Sequence, residues 1–87
     1  MDRAIASMLL EQELAQARQR GYGGLKLDVG QEVTKQIVGP DGKDYQASVL
    51  VVWDAQENGP LRVIVSIDDG GWRAFVPLIA DDLIYPE

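Results

Sequence analysis

At 87 residues the chain has room for one small domain with one core, a size that buries about 60 to 65% of its unfolded surface. It contains no cysteine and no histidine, which excludes disulfides, thiolate metal sites, thiol nucleophiles and imidazole general bases. The formal charge of −6 is concentrated in residues 54 to 87, where Asp54, Glu57, Asp68, Asp69, Asp81, Asp82 and Glu87 face only Arg62 and Arg73, a field that repels a phosphate backbone.

The first stretch reads as a helix over about residues 2–20. Asp2 is its cap, Ala6, Leu9, Leu10, Leu14 and Ala17 recur on one side, and Glu11, Gln12, Gln16 and Gln19 point elsewhere. Arg18 and Arg20 suit the negative end of the helix dipole, and Gly21 is a stop signal. Met1 to Arg20 is too polar for a secretory leader, and no apolar run reaches the roughly 20 residues of a membrane span, so a soluble and by default cytoplasmic chain is expected. Gly21-Tyr22-Gly23-Gly24 reads as a flexible connector. A phosphate-binding glycine loop needs a strand before it and a helix after it, and here the order is reversed.

From Leu25 the apolar period becomes two, through Leu27, Val29, Val33 and Ile37, which predicts a strand over about residues 25–38 with a bulge or break at Gly30. Pro40-Asp41-Gly42 then forms a three-residue hairpin loop with Gly42 in the left-handed position. That loop pairs Ile37 with Tyr45, Val33 with Val49 and Val29 with Trp53 on a second strand over about 45–53, and it sets Lys35 opposite Ala47 near the edge. A third strand over about 61–68 continues the register, with Leu61 opposite Trp53, Val63 opposite Val51, Val65 opposite Val49 and Ile67 opposite Ala47. Asp69-Gly70 is a tight-turn signal, so a fourth strand is expected over about 72–76, with Trp72, Ala74 and Val76 facing Ile67, Val65 and Val63. Residues 77–87 are expected to be a short helical or irregular tail.

The predicted fold is therefore α+β, a single domain over residues 1–87 in which an N-terminal helix covers one apolar face of a four-stranded antiparallel meander. The second sheet face is mixed. Leu50, Val52, Ile64, Arg73 and Phe75 gather on it as a candidate interface, either under the tail or against another protein or a second copy of the chain.

Three lysines, three serines and fourteen carboxylates remain for chemistry. Ser7, Ser48 and Ser66 have no visible base, and adjacent acids on a strand point to opposite faces, so no catalytic constellation emerges. Asp68, Asp69, Asp81 and Asp82 are a weak acidic site for a hard cation if the tail returns to the turn. The expected role is a small non-enzymatic protein-binding or regulatory module, an inhibitor or immunity protein being one version, with no cofactor and no nucleic-acid partner. The alternative is a small-ligand or divalent-cation module. The acidic composition has two readings of its own: a surface that keeps a small protein in solution, or a face for a basic partner.

Overall fold

A computed structural model describes residues 2–69 and 77–86. One helix, α1 (Arg3–Lys26), precedes four strands, β1 (Glu32–Val38), β2 (Asp44–Trp53), β3 (Leu61–Asp68) and β4 (Leu78–Ile84). The strands form one antiparallel sheet in the order β1-β2-β3-β4, and α1 lies over β2, β3 and β4. The α+β architecture expected from the sequence is the architecture of the chain.

Asp2 caps α1 by accepting from the amides of Ala4 and Ile5 at 3.0 and 3.1 Å, which satisfies two of the donors a helix start leaves open. Ala6, Leu9, Leu10, Leu14 and Ala17 are buried along one stripe. Glu13 lies in the same stripe and is also buried. Gly21 takes φ 72° and ψ 174°, a conformation reserved for glycine, and interrupts the helix at the expected stop. The chain then returns to helix through Lys26. The expected connector at residues 21–24 is thus helical, and the expected strand over 25–38 begins only at Glu32.

Packing explains that correction. Leu25 is fully buried while Leu27 is 81% exposed, so the alternation in Leu25-Lys26-Leu27 does not mark a sheet face. Tyr22 fixes the second helical segment by donating its hydroxyl to the Gly59 carbonyl at 2.9 Å, and Arg20 holds it through the Gly24 carbonyl and Asp28. Gly30, at φ 83°, then turns the chain into the sheet with its amide on the Val51 carbonyl. Val29 accordingly meets Val51 in a parallel bridge and not Trp53 in an antiparallel one.

The β1–β2 hairpin has the expected geometry. Gly39 donates to the Lys43 carbonyl, Gly42 donates to the Gly39 carbonyl, and Gly42 sits at φ 77°. Asp41 accepts from the Lys43 amide and the Tyr45 hydroxyl. Desolvation pushes its carboxyl upward, but these hydrogen bonds together hold it below the usual carboxylate range. Every expected pairing from Ile37↔Tyr45 to Val33↔Val49, and from Trp53↔Leu61 to Ala47↔Ile67, is present. Turn chemistry and apolar alternation select one register because a slip of one residue would turn Ala47, Val51, Val63 and Val65 out of the core.

The strand beside β3 comes from the stretch that the sequence reading gave to the tail. The free edge of β3 is taken by Leu78–Ile84, expected as tail, so Ile67 meets Leu78, Val65 meets Ala80 and Val63 meets Asp82. The expected strand over 72–76 lies outside the described residues. Asp81-Asp82 argues against a strand on propensity, but each carboxylate meets an arginine: Asp82 meets Arg18 of α1 at 2.6 Å, and Asp81 meets Arg62 of the neighbouring β3. Compensated in this way, the run Leu78, Ala80, Ile84 supplies a third apolar row beneath α1.

Both edge strands therefore carry one charge turned toward the helix, and both charges are paired to α1. Lys35 of β1 meets Glu13 at 2.7 Å, and Asp82 of β4 meets Arg18. An inward charge on an edge strand opposes the addition of further strands, because a new neighbour would bury it.

Candidate binding face

The alternation that buries Tyr45, Ala47, Val51, Val63, Val65 and Ile67 under α1 sends their even-numbered neighbours to the other side of the sheet. Among the described residues no element covers that side. Leu50 and Ile64 stand directly opposite each other, Val52 stands opposite Arg62, and Leu83 flanks Arg62 from β4. These four apolar side chains are partly buried and form one cluster at the end of the sheet where β2 and β4 finish and β3 begins. Ile79, 59% exposed, lies further along β4 opposite Ser66.

Arg62 is fixed in the middle of this cluster. Its Nε and Nη2 donate to Asp54 Oδ1 at 2.9 and 2.7 Å, and its Nη1 donates to Asp81. The bonds to Asp54 and Asp81 hold its guanidinium above even the usual arginine range, so it is a permanent cation. Among the described residues carboxylates outnumber it: Glu32 and Asp81 end the row that contains Leu50 and Ile64, while Asp44 and Asp68 stand on the same face toward the hairpin end. Between them the face is uncharged and polar, with Thr34 Oγ1 and Ser48 Oγ 3.4 Å apart and Ser66 beside them. The result is an apolar cluster set in an acidic surround.

Of the residues singled out from sequence, Leu50, Val52 and Ile64 are brought together here, and Arg73 and Phe75 lie outside the described residues. Leu83 and Ile79 were missed because residues 77–87 were expected to be tail; their two-residue spacing with Asp81 is the signal that marks them as one face of a strand. The acidic quartet does not converge. Asp81 and Asp82 point to opposite faces, and each is held by a different arginine. Asp68 ends β3 opposite Gln46, and Asp69 borders a separate polar recess with Asp2 and Asp44. Among the described residues no group of three or more carboxylates is placed to hold a metal ion. Asp82 sits below the usual carboxylate range chiefly because Arg18 Nε donates to it, with the Leu83 amide adding to the effect against some desolvation. That marks a structural ion pair.

No helix among the described residues is long and apolar enough to cross a membrane. In comparisons with known proteins, no family model matches the chain, and neither the curated proteins nor the solved structures give a match.

Proposed function

We propose that this chain is a small non-enzymatic protein-binding module whose open sheet face takes a partner surface of apolar residues set among lysines and arginines. The observation that carries this reading is the Leu50, Val52, Ile64 and Leu83 cluster, on a face that no described element covers, surrounded by Glu32, Asp44, Asp68 and Asp81. An apolar centre excludes water from a contact, and a complementary charged rim speeds encounter and rejects partners of the wrong sign. An inhibitor that occupies a basic site on its target is one form such a module takes. Pairing two copies of the chain through this face sets carboxylates against carboxylates, so charge favours a basic partner over self-association.

The test uses a synthetic helical peptide with leucines along one side flanked by lysines, and the same peptide with glutamates in place of the lysines. The lysine peptide is expected to bind, and to lose at least about tenfold in affinity as salt rises from low to high concentration, because exposed charges are screened within about 3 Å at 1 M. Ile64→Glu abolishes binding. Arg62→Gln strengthens it, because Asp54 and Asp81 are released to the peptide's cations. Equal binding of both peptides, or affinity indifferent to Ile64→Glu, overturns the reading.

A further inference from the structure

On the opposite side of the sheet α1 reaches β2, β3 and β4 but stops short of β1, which leaves a groove between the helix and the first strand. Its cavity of about 200 Å³ is floored by Ala17, Leu25, Val49 and Val51 and bordered by Glu13, Lys35, Arg20 and Asp28. An engineered apolar cavity of about 150 Å³ takes up benzene, so this volume suits a compact body the size of one ring or a branched chain of about five carbons.

The charges around the groove are not equivalent. Lys35 and Arg20 stand half in solvent, with side chains 45% and 47% exposed, whereas the Glu13 side chain is only 5% exposed. Glu13 Oε1 lies 2.7 Å from Lys35 Nζ in an ion pair, and among the described residues the carboxylate has no other ion-pair partner. An ionised carboxylate has room for about four hydrogen bonds. No buried side-chain oxygen among the described residues lacks a partner, so Oε2, outside the Lys35 pair, is an acceptor open to the groove at the wall of a largely apolar cavity, in a chain whose charge of −6 already draws cations.

We propose that this groove binds small primary amines, the ammonium donating to Glu13 Oε2 while a compact apolar body lies over Leu25, Val49 and Val51. Lys35 competes with the ligand, because its own ammonium already occupies Oε1 of the same carboxylate. A carboxylate or alcohol of the same shape meets the floor equally well but offers Glu13 no positively charged donor, and charge-assisted hydrogen bonds are about twice as strong as neutral ones.

The experiment titrates the full chain with 3-methylbutylamine and 2-phenylethylamine, and with 3-methylbutanol and 3-methylbutanoate as neutral and anionic counterparts, following backbone amide signals by NMR. The amines are expected to bind at least about tenfold more tightly than either counterpart, with the largest shifts at Glu13, Ala17, Leu25, Val49 and Val51. Glu13→Gln loses that preference, and Lys35→Met tightens amine binding several-fold. Should Glu13→Gln fail to fold, the unaltered chain and Lys35→Met still decide the matter. Equal affinity for amine and alcohol, shifts centred elsewhere, or a Lys35→Met variant no tighter than the parent overturns the proposal.

Discussion

Ile64 and Ile67 are the same residue type on the same strand, three positions apart and on opposite faces of the sheet, which makes them a controlled pair. Ile67 is fully buried beneath α1, while Ile64 is partly exposed on the open face. Truncating an isoleucine to alanine removes three carbons, a transfer loss of about 2.4 kcal/mol when all three are buried, at about 0.8 kcal/mol per CH₂. A cavity left in a packed core adds a further contribution, bringing Ile67→Ala to about 3 to 4 kcal/mol. At Ile64 water fills the vacated space and part of the side chain was already wet, so the loss falls to about 1 kcal/mol. A domain of this size loses about 4 to 8 °C in Tm per kcal/mol, so the two variants differ by at least about 8 °C. Urea unfolding with matched slopes, together with thermal scans, reads both quantities. If Ile64→Ala costs as much as Ile67→Ala, the open face is core and the assignment of Leu50, Val52, Ile64 and Leu83 to a partner fails.

Other consequences follow from the ion pairs and the hairpin. Because Arg18 lowers the Asp82 carboxyl in the folded chain, the stability this pair contributes is present above the ordinary carboxylate range of about 3.9 and is lost as pH falls through the folded value. Asp82→Asn therefore flattens the acid limb of the urea midpoint against pH, by no more than about 1 kcal/mol because both side chains are part-exposed, and an unchanged limb contradicts the pairing. Gly42→Ala costs about 1 kcal/mol through its φ of 77° alone, since nothing lies within 4 Å of an added Cβ. Gly39→Ala costs more, as its Cβ would come within 2.7 Å of the Tyr45 ring and the Asp41 carboxylate; equal melting temperatures for the two variants refute this.

The sheet was legible wherever two independent signals agreed. Pro40-Asp41-Gly42 fixed the loop, and the alternation from Val33 to Ile67 fixed the faces, so the registers of β1 with β2 and β2 with β3 were read correctly. Where one signal stood alone it misled. Leu25, Leu27 and Val29 alternate as a strand does, yet Leu25 enters the core from a helical turn, and only tertiary contacts made by Tyr22 and Arg20 decide the difference. Asp69-Gly70 alone set Trp72, Ala74 and Val76 against β3, whereas Leu78–Ile84 holds that edge, its Asp81 and Asp82 matched by distant arginines that local propensity does not show. On the candidate face, Leu50, Val52 and Ile64 were legible from register alone. Glu13 was not, because a carboxylate within an apolar stripe reads as an ordinary helix residue until Lys35 is found across the groove from it.

The most direct test of the protein-binding account is an amide-resolved NMR titration of the full chain with the leucine–lysine peptide at low salt. The account predicts shifts centred on Leu50, Val52, Ile64 and Leu83 that fade as salt is raised, with α1 undisturbed. Shifts confined to α1 and β1, or none at concentrations where the peptide is in large excess, would contradict it.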